Sequence, residues 1–111
     1  MIDRISPEPF PAAFERTLRL SPFARRLAAA RPEIAAHLAA SEAAALSHAD
    51  FEGAVAAVDP HDMAGLARAL RSLRARVMLT LVHRDIAGLA SLDEVVSTVT
   101  LLAEVAVRAA V

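Results

Sequence analysis

At 111 residues and 11.7 kDa the chain is one domain or part of one, and its 56% apolar content is too high for a disordered tail. A formal net charge of −1, with all twelve basic residues arginine, points to neither nucleic acid nor an anionic membrane, and rules out lysine Schiff-base and P-loop chemistry. The absence of cysteine rules out disulfides, thiolate catalysis and cysteine zinc sites, and suits a cytoplasmic protein.

Twenty-seven residues are alanine, which costs little entropy in a helix and lets backbones approach closely. Aromatics amount to four phenylalanines, so a core must be built from Leu, Val, Ile, Met and tight alanine contacts. The expected class is all-α, a compact multi-helix bundle. Residues 1–10, with Pro7 and Pro9 and no periodicity, read as a loose lead-in, and residues 11–111 as a single helical domain. Met1–Glu8 has no apolar h-region, and no run approaches the ~20 apolar residues that span a bilayer.

Phe10 and Phe14 open a short helix over roughly 11–20. Ser21-Pro22 supplies a capping hydroxyl followed by proline at the first helical position, starting a helix with Phe23, Leu27 and Ala30 on one side. Pro32 restricts Arg31 and restarts the chain as another short helix with Ile34 and Leu38. Ser47 caps a helix carrying Phe51, Val55 and Val58.

Asp59-Pro60, with Asp62 behind it, is the clearest start signal: a carboxylate for free N–H groups, a proline pre-set at helical φ, and acids facing the positive end of the dipole. A long helix is expected from about 60 to 87, with Gly88 as its left-handed cap. Met63, Leu66, Leu70, Leu73, Val77 and Leu81 form one apolar stripe along it. From residue 78 a second stripe appears, through Met78, Leu79, Val82, Ile86 and Leu89, so the second half should be buried on two faces. Ser91–Glu94 reads as a capping box, and a last helix spans about 92–111. It carries no Gly, Asn or Pro stop, so the native chain is expected to continue past Val111.

No residue set here converges on catalysis. His37, His48, His61 and His83 are never three or four apart, so no helical metal pair exists, and ordinary surface or half-buried histidine accounts for each. Asp50 and Glu52 point roughly 200° apart on a helix and cannot share a metal. The three glycines are isolated, which leaves no phosphate loop or dinucleotide fingerprint, and no Gly-x-Ser-x-Gly elbow occurs. Expected catalytic, cofactor-binding and metal-ligating residues are therefore none.

Arg68, Arg71, Arg74, Arg76 and Arg84 follow one another without an intervening acid, yet the helical wheel scatters them and no aromatics interleave, so ion pairing and solvation explain them better than a nucleic-acid groove. Arg84 falls on the line of the first stripe and Arg74 at its edge. Each should meet an Asp or Glu of another helix or of chain beyond this segment. With Arg76 and Asp85 they are the candidate ion-pair or interdomain positions.

The stretch 64–89, with Leu70-Arg71, arginines through Arg76, Met78, Arg84-Asp85 and Gly88-Leu89, resembles the helix before the first nucleotidyltransferase domain of bacterial glutamine synthetase adenylyltransferase/adenylyl-removing enzymes. Ser21–Leu27 with Arg31-Pro32-Glu33 is similar to that family's early helices, and Ser91–Val95 to the helix after the signature. The resemblance covers roughly residues 18–111. The chain departs from the pattern at Leu73, where Phe is common, at Ala75, which interrupts the arginine run, and at Thr80, where another Arg is usual.

The resemblance implies a non-catalytic N-terminal helical segment of the adenylyl-removing half, scaffolding a nucleotidyltransferase domain in cis. Glutamine synthetase and a PII-type regulator would be partners of the whole enzyme. The Mg²⁺ and ATP of that chemistry would belong to domains beyond Val111, with no cofactor in this segment. The alternative is a free-standing helical interaction or oligomerisation module.

Overall fold

The computed structural model describes residues 8–110, so most of the lead-in expected over 1–10, together with Val111, lies outside the described residues. Among them are six helices: α1 Phe10–Leu20, α2 Pro22–Ala30, α3 Pro32–Ser41, α4 His48–Ala56, α5 Met63–Ile86 and α6 Leu92–Ala110. No described helix is long and apolar enough to cross a membrane.

Proline sets the first two corners. Ser21 (φ −119°, ψ 103°) and Arg31 (φ −133°, ψ 72°) are held off the helical region by the proline that follows each, so single residues separate α1, α2 and α3. Ser21 Oγ accepts from Ala24 N at 3.0 Å, and Pro22 and Pro32 occupy first helical positions that need no N–H. The start of α4 is a full capping box: Ser47 Oγ accepts from Asp50 N, and the Asp50 carboxylate accepts from Ser47 N at 2.7 Å.

The long helix α5 touches all five others. On one side α1, α2 and α3 bring Ala24, Ile34 and Leu38 against Ala75 and Leu79. On the other, α4 and α6 bring Phe51 and Val105 against Leu73, Val77 and Leu81. Parts of the two expected stripes thus form two separate cores on opposite flanks of one helix, Leu73, Val77 and Leu81 from the first and Leu79 with Val82 from the second. Met78 is only half-buried and Leu89 is exposed. Its first turns stand clear of both, and Met63 is 68% exposed. With such a spine the molecule is elongated, 58 × 28 × 21 Å.

One boundary and one cap differ from the sequence reading. The long helix begins at Met63 rather than near 60, and its N-cap is Asp62, whose Oδ1 accepts from Gly65 N at 2.9 Å. Asp59 instead closes a local turn, accepting from His61 N two residues on, which spends the carboxylate before a helix can start. At α6, Ser91 Oγ accepts from Glu94 N at 3.1 Å, but the Glu94 carboxylate turns away to an arginine rather than back to Ser91.

The ends of α3 and α5 share a geometry. After α5, Gly88 (φ 74°) donates to Asp85 O and Leu89 donates to Arg84 O, the paired bonds of a Schellman ending. After α3, Glu42 (φ 51°) donates to Ala39 O and Ala43 to Leu38 O in the same pattern, although no glycine is present. A side chain in the left-handed region is strained. Glu42→Gly is therefore expected to stabilise the protein by about 0.5–1 kcal/mol, and Gly88→Ala to destabilise it by about 1 kcal/mol. Paired urea titrations of the two variants check both signs.

Candidate functional site

Three polar features and one open surface lie on α5, within the stretch that carries the family-like signature. The densest is Arg84. Its Nε donates to Glu94 Oε2 at 2.6 Å and its Nη2 to Glu94 Oε1 at 3.0 Å, a fork-to-fork pair. Nη1 donates to Ala43 O at 2.9 Å and Nη2 also to Leu89 O at 3.1 Å. One guanidinium thus ties the left-handed turn after α3, the turn after α5 and the first turn of α6. The carboxylate that Arg84 requires comes from α6. In return, its hydrogen bonds hold the Glu94 carboxyl below the usual range despite partial burial.

Arg76 makes a second tie, Nη2 to Asp50 Oδ1 at 3.2 Å, from the middle of α5 to the first turn of α4. Asp50 is held low mainly by the Ser47 N–H and further by Arg76. The other two candidates do not join these clusters. Arg74 and Asp85 are exposed on the side of α5 that faces neither core, and among the described residues neither has an ion-pair partner. The carboxylate expected opposite Arg74 is not among the described residues.

His83 is the residue the sequence reading underrates. It is 1% exposed, with its ring edge-on to Phe10 (5.3 Å) and Phe14 (5.5 Å) between α1 and α5. Thr17 Oγ1 donates to Ala13 O at 3.2 Å, which leaves the hydroxyl to accept from Nδ1–H of His83 at 2.7 Å. Burial, then Arg16 and Arg84, keep its pKa below the ordinary value of 6.5. The available signal was Phe10 and Phe14 four apart, which put two rings on one face of α1. Their partner on α5 needed the tertiary contact to be seen.

All three departures from the family pattern are buried: Leu73 at 2%, Ala75 at 8% and Thr80 at 1%, the last with its hydroxyl unpaired among the described residues. Packing governs these positions, not surface charge. Asp50 and Glu94 are engaged by arginines and Asp59 and Asp62 by backbone N–H groups, and among the described residues no three acidic or histidine side chains converge where a metal ion could sit. These residues do not fit Mg²⁺.

The family model for glutamate-ammonia ligase adenylyltransferase matches residues 12–111. The chain belongs to that family. It is 43% identical over 101 residues to the bifunctional glutamine synthetase adenylyltransferase/adenylyl-removing enzyme of Chromobacterium violaceum, covering 89% of this chain and 11% of the relative. It is 38% identical over 105 residues to the enzyme of that name from Aromatoleum aromaticum, covering 95% and 11%, and 40% identical over 101 residues to that of Ralstonia nicotianae, covering 86% and 10%. The chain therefore spans about a tenth of the length of these relatives. No solved structure gives a significant match.

Two outcomes follow for the adenylyltransferase segment. Arg84→Ala should cost about 2–3 kcal/mol, because it removes a partly buried fork and leaves Glu94 and the Ala43 carbonyl unpaired, and Arg84→Lys should restore less than half of that. Thermal unfolding of the two variants decides it. The second concerns pH: the unfolded chain takes up a proton at His83 near pH 6.5 that the folded chain resists. Stability from this residue is complete above that pH and falls below it. The melting temperature should drop between pH 7.5 and 5.5, with a smaller drop in His83→Gln. Asp50 and Glu94, held low, lose their contribution only in more acid solution.

Proposed function

We propose that this chain is a non-catalytic helical segment of an enzyme that adenylylates and deadenylylates glutamine synthetase, and that it serves as scaffold for the adenylyl-removing nucleotidyltransferase domain. The observation that carries the reading is how the polar groups of the signature helix are used. Arg76 and Arg84 are committed to fastening α4, α6 and two turns onto α5, which is what a rigid support needs and what a reacting centre could not spare. The match over nearly the whole chain to enzymes about nine times longer supports a role as part of that larger machine.

On this reading ATP and Mg²⁺ act in domains outside this chain, and glutamine synthetase and a PII-type regulator are partners of the complete enzyme in the cytoplasm. This segment contributes shape and stiffness.

The test compares three preparations for adenylyl removal from modified glutamine synthetase: the 111-residue chain, the longer native polypeptide, and that polypeptide without residues 1–111. No turnover is expected from the first and a loss of at least about tenfold in the third, as for a misplaced reacting group. Turnover by the 111-residue chain alone would overturn the proposal.

A further inference from the structure

On the flank of α5 between the two cores, Arg71, Arg74, Met78 and Asp85 follow one another at helical spacing, with Val82 at the border of the first core. This line is the floor of a groove. Phe23 and Leu27 of α2 wall one side, beside Arg71, Arg74 and Met78. Val99, Leu102 and Ala103 of α6 wall the other beside Leu70 and Arg74, and Val95 and Leu92 continue that wall to Asp85. Three adjoining hollows of 250, 370 and 380 Å³ share Arg71, Arg74, Met78 and Val99 among their linings. From Arg71 to Asp85 the floor is about 21 Å long, four turns of helix.

Along the walls, apolar side chains are open to water. Leu92 is 77% exposed, Val96 55%, Val99 45% and Phe23 41%. The wheel of α6 explains why: Leu101 and Val105 face the core with Phe51, while Leu92, Val96, Val99 and Ala103 form a second apolar stripe turned outward. A contiguous patch of this kind marks an interaction surface.

Charge identifies the occupant. Three arginines line the groove: Arg31 is paired with Glu33, whereas Arg71 and Arg74, side by side at one end, have no ion-pair partner among the described residues. Of the arginines so left (Arg19, Arg25, Arg26, Arg68 and Arg108 are the others), they alone line it. The other end carries the single acid Asp85. A second copy of this chain fits poorly. Antiparallel copies would set four arginines against two aspartates, and a concave floor against a concave floor leaves Met78 uncovered. A convex element suits both shape and charge.

We propose that the groove between α2, α5 and α6 holds an amphipathic helix of about four turns, with an apolar stripe at i, i+3, i+4 and i+7 and carboxylates over Arg71 and Arg74. The helix comes from the part of the enzyme polypeptide outside these 111 residues. The length of the relatives, in which nearly all of this segment recurs as 11% of a longer chain, argues for a source in cis. The inference rests on the scaffold reading and names the surface it would use.

The test is methionine oxidation of the native polypeptide under mild peroxide, read by mass spectrometry. Met78 lies on the groove floor, and the exposed Met63 at the far end of α5 is the internal reference. Relative to Met63, Met78 should react at least about tenfold more slowly in the native polypeptide than in the isolated chain, since a seated helix excludes the oxidant. Val99→Arg and the exposed double reversal Arg71→Glu/Arg74→Glu should each abolish that protection, with an unchanged circular dichroism spectrum of the isolated chain.

Equal Met78 reactivity in both contexts overturns the proposal. So does protection in the isolated chain that rises with concentration, which would make the occupant a second copy. So does protection that survives both variants. If protection behaves as expected while adenylyl removal does not depend on residues 1–111, the groove assignment stands and the scaffold function falls.

Discussion

Everything in this molecule is arranged around one helix that has to be buried on two sides. Between Leu73 and His83, α5 offers Leu73, Val77 and Leu81 to one flank and Ala75 and Leu79 to the other. No single layer of helices can cover both. The chain answers with two layers, three short proline-started helices on one side and α4 with α6 on the other. Alanine makes the first layer possible, since Ala24, Ala43 and Ala75 let backbones approach where larger side chains would hold them apart.

Two separate cores on one rod would be free to shift relative to each other, and the polar contacts prevent this. Arg84 reaches from the same helix to the turn after α3 and to the start of α6, which join different layers. Only a planar fork with several donors can satisfy a carboxylate and two carbonyls at once, which accounts for arginine here rather than lysine. One residue before Arg84 on α5, His83 clamps α1 through Thr17 and two phenylalanine rings. Its neutral imidazole fits the apolar setting, whereas a charged one would leave an unpaired cation between Arg16 and Arg84.

Covering two flanks leaves a third. The outward strip of α5 and the second apolar stripe of α6 stay open because the helices of this chain are used up on the cores. In a free-standing protein of this size such a strip would be a solubility liability. In the proposed docking of a helix from elsewhere in the enzyme, it is the seat. The same economy accounts for the charges: Arg76 and Arg84 are matched within this chain, whereas Arg71 and Arg74 on the strip have no ion-pair partner among the described residues.

Most helices were legible from local chemistry. Ser21-Pro22, Arg31-Pro32, Ser47 with Asp50, and Gly88 each fix a boundary through a cap or a forbidden angle that involves neighbours alone. The two stripes of α5 were legible because burial on a helix repeats with its turn. The resemblance of 64–89 gave the family for the same reason: spacing along one helix survives in sequence. Tertiary structure decided the rest. The sequence favoured Asp59 as the cap of α5, but its carboxylate is drawn into its own turn and Asp62 caps the helix instead. The run Ala39–Ala45 has every local reason to stay helical, yet it turns at Glu42 and Ala43 because burying Ala43 and handing its carbonyl to Arg84 outweighs the strain. His83 and Glu94 likewise took roles set by partners 66 and 10 residues away. Most helix starts and the apolar faces were set by the sequence alone, since those depend on neighbours within one turn. Which polar groups became ties, and which apolar face stayed open, depended on contacts between residues distant along the chain, which only the assembled fold brings together.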